Sequence, residues 1–235
     1  MRKQFQVVDR VYAQLKMLVI EYKIPPGSQI HIEDVANSLN VSVTPVREAL
    51  NRLLNEGYLR RHSGRGFYNR TIDLEELYDL FQLRGSLAIS AVHILLRTDL
   101  RTKIDALLDE PEEPGDSISP CGLKLCERIV LAVGNREMIR LYANISDRIK
   151  FIWDIYVQGK KGATQIASYR EDLRRTILAR DISAAAEVIE RNIELQTAAL
   201  SEAIQIALAR AHGGEVNQSP RFEPHVGFRL ATKVL

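Results

Sequence analysis

The sequence has only two cysteines, five histidines and a modest aromatic content, and each scarcity closes off a class of protein. Cys121 and Cys126 are too few for a disulfide-stapled scaffold, so both are expected as free thiols in a reducing compartment. Five residues apart on a helix, they would point to different sides. No apolar run approaches the roughly 20 residues of a membrane helix. The basic N-terminus Met1-Arg2-Lys3-Gln4-Phe5 is not followed by the apolar core of a signal peptide. The expectation is a cytoplasmic chain with no membrane partner. Glycine-rich phosphate loops, nucleophile elbows and clusters of metal-ligating residues are missing as well. Cys126 and His93 make a nucleophile and base only if the fold joins them, which nothing in the sequence supports. No enzyme and no catalytic residue are expected.

What is present is an asymmetry of charge. Residues 1–70 carry 11 Lys+Arg against 6 Asp+Glu, whereas the remaining 165 residues carry 21 against 24. A basic head on a mildly acidic body is the pattern of a chain in which one part meets a polyanion.

Within the head, Val8, Val11, Tyr12, Leu15, Leu18, Val19 and Tyr22 recur at helical steps and predict an amphipathic helix. Pro25-Pro26-Gly27-Ser28 ends it, because proline cannot donate the next ladder hydrogen bond. Gln29-Ile30-His31 reads as short and extended. Ile32, Val35, Ala36 and Leu39 predict a second, short helix ending near Asn40. A third follows, with Thr44 as its expected N-cap, Pro45 at the first helical position and Gly57 closing it. Val46, Ala49, Leu50, Leu53 and Leu54 share one side of that helix; Thr44, Arg47, Glu48, Asn51 and Arg52 share the other. Two short strands, residues 58–61 and 66–70, flank the basic tip His62-Ser63-Gly64-Arg65. Three helices followed by a hairpin form the winged helix-turn-helix layout.

Such a layout suits duplex DNA. A helix about 10–12 Å across fits the major groove and presents its first turn to base edges. Arg47 can bond both acceptors of a guanine or fork onto a phosphate. Arg60, Arg61, His62 and Arg65 give the hairpin phosphate or minor-groove contacts. Either feature alone is more often a solvated face; their combination in this order, with the charge asymmetry, favours DNA.

These residues also carry a resemblance. Ile24-Pro25-Pro26-Gly27-Ser28, Val35-Ala36, Leu39, Val41-Ser42-Val43-Thr44-Pro45-Val46-Arg47-Glu48-Ala49-Leu50, Glu56-Gly57-Tyr58-Leu59 and Gly64-Arg65-Gly66 together resemble the winged-helix domain of GntR-family bacterial transcription regulators, over about residues 8–70. The resemblance implies DNA-contact roles for Thr44, Arg47, Arg52 and the wing at Arg65-Gly66. Asn51 and Arg61 join them as candidates from their place on the same polar face and hairpin. Val43 departs from the arginine common in the family, so one contact is expected to be missing.

From Asp73 onward the pattern is helical. Acids in Asp73-Leu74-Glu75-Glu76 suit a helix N-terminus, and apolar residues continue to Ile94. Further helices are expected near 100–108, 121–133, 138–157, 165–179 and 182–209, broken by a loop at 111–117, by Gly134-Asn135, by Gly159-Lys160-Lys161-Gly162 and by Asp181 as N-cap. The expected architecture is mainly α: a winged helix-turn-helix at 1–72, an all-α bundle at 73–210 and a tail at 211–235.

The entry motif Asp73-Leu74-Glu75-Glu76-Leu77-Tyr78…Leu83-Arg84, Ala132-Val133-Gly134-Asn135, and Ala179-Arg180-Asp181…Ala184-Ala185 resemble the FCD-type effector domain of the FadR-like GntR branch. Many such domains hold a divalent metal on an aspartate and three histidines. The matching positions here are Gly122, Cys126, Arg170 and Asn192, of which only the Cys126 thiolate is a plausible ligand. No metal or other cofactor is expected. Related domains use the metal to hold a carboxylate effector; here Arg170, with Asn192, Arg84 and Cys126, is the candidate set for binding an acidic metabolite directly. The alternative is that Arg170 pairs with an internal acid such as Glu127 or reaches solvent.

The function expected is therefore a homodimeric, effector-controlled regulator that binds a double-stranded operator and represses by occupancy. Two alternatives stand beside it. The bundle serves only to dimerise the heads, or the winged helix meets protein.

Overall fold

The computed structural model describes residues 2–62, 65–98 and 121–212. The helix expected at 100–108, the loop at 111–117 and the tail beyond residue 212 lie outside the described residues. The chain divides into two compact units, the second of which spans Ile72–Arg210.

The first unit comprises α1 (Arg2–Ile20), β1 (Gln29–Ile30), α2 (Ile32–Leu39), α3 (Val43–Asn55), β2 (Leu59–His62) and β3 (Arg65–Asn69). The strands form an antiparallel sheet in the order β1-β3-β2. The apolar stripes converge on one core, in which Val11, Leu15, Val35, Val46, Leu50 and Leu53 are inaccessible to solvent. The first helix starts earlier than the apolar stripe requires, since no helix breaker lies between Arg2 and Val8.

The start of α3 differs from expectation. Ser42, extended at φ −74° and ψ 164°, takes the N-cap position, and its side chain makes no capping hydrogen bond. Pro45 is then the third helical residue. It is tolerated there because the first-turn N–H groups have no intrahelical partner to lose. At the other end Gly57 adopts φ +79°. Its N–H reaches the carbonyl of Leu54, and the N–H of Tyr58 reaches that of Leu53 at 2.9 Å. This glycine-terminated double closure turns the chain directly into β2.

In β3, Gly66 at φ +75° lies in a bulge: Arg60 pairs with Tyr68 but His62 with Arg65, so β3 carries one extra residue. The left-handed backbone favours glycine, and an added Cβ would sit 3.0 Å from Gln29 Nε2.

The second unit comprises α4 (Leu74–Arg97), α5 (Cys121–Val133), α6 (Arg136–Gln158), α7 (Lys160–Leu178), α8 (Ile182–Ala198) and α9 (Leu200–His212). Asp73, Asn135 and Asp181 cap α4, α6 and α8 by accepting from the N–H three residues on. Two boundaries correct the sequence reading. Only Gly159 separates α6 from α7, which begins at Lys160. The single helix expected at 182–209 is two, parted at Ala199.

Central to this unit is α4, packed against α5, α6 and α8. It is long and apolar enough to span a membrane, with a mean hydropathy of 1.2 over 18 residues, but half of that stretch is buried within the unit. Two apolar clusters meet along it. One joins Leu95, Ile129, Leu173 and Ile177; the other joins Phe81, Ile149, Trp153 and Leu200. Gly85 sits at the seam, where a Cβ would fall 1.9 Å from Ile193 Cδ1. Its missing side chain brings α4 and α8 together.

Candidate functional site

The head presents α3 by burying its opposite side. Pro45, Val46, Ala49, Leu50 and Leu53 are buried, while Val43, Thr44, Arg47, Glu48 and Arg52 are exposed and Asn51 is half-buried. The side chains of Thr44 and Arg47 make no hydrogen bond, ion pair or ring contact with the described residues. An arginine held out from a rigid helix and left to solvent is available to a large anionic partner.

The wing is tied to this helix. Arg61 on β2 donates through Nη2 to Asn51 Oδ1 at 3.0 Å, and its guanidinium lies 5.3 Å from the Phe67 ring centroid. Asn51 and Arg61 therefore form one surface with Arg47. Gly66 serves the bulge, which is a backbone requirement. Arg65 begins β3 opposite His62; its side chain lies outside the described residues.

Arg52, for which the resemblance implies a DNA contact, is engaged within the head. It bonds Glu56 Oε1 at 3.0 Å and Asp9 Oδ1 at 3.2 Å, and its guanidinium stacks 3.9 Å from the Tyr12 ring centroid. Tyr12 in turn donates to Glu56. The hydrogen bond to Glu56 leads the influences that hold the arginine above its ordinary pKa. Spacing along α3 puts Arg52 on the edge facing α1, so it clamps α3 to α1.

In the second unit a cavity opens at the seam of the two clusters. Its volume is about 20 Å³, room for one or two waters. Arg84 is the one cation among its lining residues. It is 5% exposed, donates through Nη2 to Gln196 Oε1 at 3.1 Å, and lies 5.3 and 5.2 Å from the Phe81 and Trp153 ring centroids. Its Nη1, Gln196 Nε2 and Trp153 Nε1 are buried without a hydrogen-bond partner among the described residues. All three are donors. Buried donors left unpaired are costly, most of all a charged one, and together they make a site complementary to an anion.

Of the expected effector-binding residues, Arg84, Cys126 and Asn192 line this cavity and Arg170 does not. Tyr169 lies there instead. One residue along a helix is a 100° rotation, enough to carry Arg170 off the inward face to a half-buried position. Cys126 Sγ is 2.9 Å from Tyr169 Oη. Burial pushes the Cys126 thiol and the Tyr142 and Tyr169 hydroxyls above their ordinary pKa ranges. Gly122 lies on α5, with its surroundings outside the described residues. A guanidinium and side-chain amides do not suit a divalent cation, so the lining does not fit the metal that the FCD-type resemblance would imply.

Sequence reading missed Gln196, Trp153, Tyr142 and Tyr169. Gln196 was within reach, one helical turn after Asn192 on the same face. The aromatic members read as ordinary core.

Residues 7–68 match the family profile described as bacterial regulatory proteins, gntR family. The chain is 36% identical over 141 residues to the Nta operon transcriptional regulator of Aminobacter aminovorans, covering 57% of this chain and 67% of that protein. Its fold is similar to that of a chain described as a GntR transcriptional regulator from Rhodococcus sp. RHA1, with a TM-score of 0.65 at 17% identity, covering 83% of this chain and 97% of the other. E. coli McbR/YncC is also similar, with a TM-score of 0.60 at 17% identity over the same shares.

Proposed function

Because this chain belongs to the gntR family of bacterial regulatory proteins and is a DNA-binding transcription regulator, we propose that it is switched by a small organic acid held in the cavity of its helical unit. The reading carries four further parts: an FCD-type helical domain, a homodimer of two heads on a pseudo-palindromic operator, a cytoplasmic location, and repression by occupancy. No enzymatic role is assigned.

One observation carries the switch: Arg84 Nη1, Gln196 Nε2 and Trp153 Nε1 are buried without a partner among the described residues, and all three residues line one cavity. A carboxylate would accept from all three and neutralise the guanidinium, with Asn192 and the tyrosine hydroxyls available to its remaining polar atoms. On the head, the operator contacts proposed are Arg47 and Thr44, with Asn51, Arg61 and the wing at Arg65 beside them. Arg52 holds α3 to α1 at the edge of that surface.

Thermal melting of the purified chain across a panel of short organic acids tests the switch. A ligand that binds the folded state raises its stability in proportion to its saturation. The expected result is a rise with at least one acid that disappears in Arg84→Met. A second reading is favoured by the small room in the cavity: the helical unit only dimerises the heads. In that case no acid shifts the melting temperature.

A further inference from the structure

Val43 is the first residue of α3 and is 39% exposed. Among the described residues of its unit, Val43 and Met17 are the large hydrophobic side chains left open to solvent. Neighbouring Val41 packs on the apolar core, but Val43 does not. Steps of four along a helix set Val43, Arg47 and Asn51 in one row, and Arg61 bonds Asn51 at the end of it. The row thus runs from an aliphatic group, through an unpaired guanidinium, to a side-chain amide.

An isopropyl group has no donor or acceptor, so at a DNA surface it can bond neither a phosphate nor a polar base edge. The major groove offers one apolar group, the C5 methyl of thymine. We propose that Val43 reads thymine: its methyls pack on the C5 methyl of one thymine, next to the base pair that Arg47 contacts. Val43 is then a specificity-determining residue, selecting a base pair by its methyl group and not by a hydrogen bond. This inference rests on α3 entering the major groove.

The test begins with the duplex that the full-length chain enriches from a random pool. Each thymine is then replaced in turn by deoxyuridine, which deletes the methyl alone. With the wild-type chain, one such replacement weakens binding about fourfold, the effect of exposing one methyl. In Val43→Ser that position becomes indifferent to the methyl, while the preference lost in Arg47→Ala is retained. In Val43→Arg the same base pair shifts towards G·C. If no thymine is sensitive to loss of its methyl, or if Val43→Ser keeps the same sensitivity, the thymine contact is wrong and DNA reading by α3 stands. If the pool enriches no sequence, groove entry by α3 fails and this inference fails with it.

Discussion

Arg84 donates to Gln196 Oε1 at 3.1 Å, so a guanidinium that is 5% exposed is paired with a neutral amide. No carboxylate among the described residues forms an ion pair with it. A buried cation held this way destabilises the fold that contains it. Arg84→Met keeps much of the volume and the contact with Phe81 and Trp153 but removes the charge. The ligand-free variant is expected to melt higher, by a few degrees for a gain of ~1 kcal/mol. A fall in melting temperature would show that Arg84 already has a counter-charge.

Arg47 stands exposed on α3 with no partner among the described residues. Arg47→Ala is expected to cost about 1–3 kcal/mol of specific DNA affinity and to relax preference at one base pair. Binding to random-sequence competitor should change much less. A binding titration against the selected site and its single-base variants measures both. Uniform weakening across all variants would make Arg47 a phosphate contact.

Arg52 is predicted to behave differently, although it lies only five residues further along α3. Its bonds to Glu56 and Asp9 and its stacking on Tyr12 join α3 to α1. Because the group is about half exposed, Arg52→Ala should lower the stability of the head by only ~0.5–1 kcal/mol. Base preference should be unchanged. A changed preference at a defined base pair would return Arg52 to the DNA surface.

This contrast shows how much of the head was legible in advance. Pro25-Pro26-Gly27, Gly57 and the apolar spacing of Val46, Ala49, Leu50 and Leu53 locate α1 to α3 because breakers and periodicity act locally. The Arg52 clamp was not legible, since Asp9 and Tyr12 lie some forty residues away and meet it only by packing. Ala199 hid the break between α8 and α9: no glycine or proline marks it, and apolar spacing continues on both sides. Of the residues that motif positions suggested for the cavity, Arg84, Cys126 and Asn192 line it, whereas Arg170 does not and its neighbour Tyr169 does, because on a helix one residue decides which way a side chain faces.

The protonated cluster sets a pH dependence. Burial raises the pKa of Cys126, Tyr142 and Tyr169, so the folded state holds these protons more tightly than the unfolded chain. Their contribution to stability is fully present below the ordinary thiol pKa of about 8.5 and is lost as pH rises above it. Denaturant melts of the helical unit should therefore weaken from about pH 9 upward. Cys126→Ala should delay that decline, because the thiol has the lowest ordinary pKa of the three. An unchanged profile in the variant would place the lost stability elsewhere.

The switch itself is tested most directly by following binding of the full-length chain to its selected duplex while organic acids are added, for the wild type and for Arg84→Met. At least one acid is expected to change the DNA affinity of the wild type, whereas Arg84→Met binds the duplex equally well without acid but no longer responds. An equal response from both chains would contradict the switch.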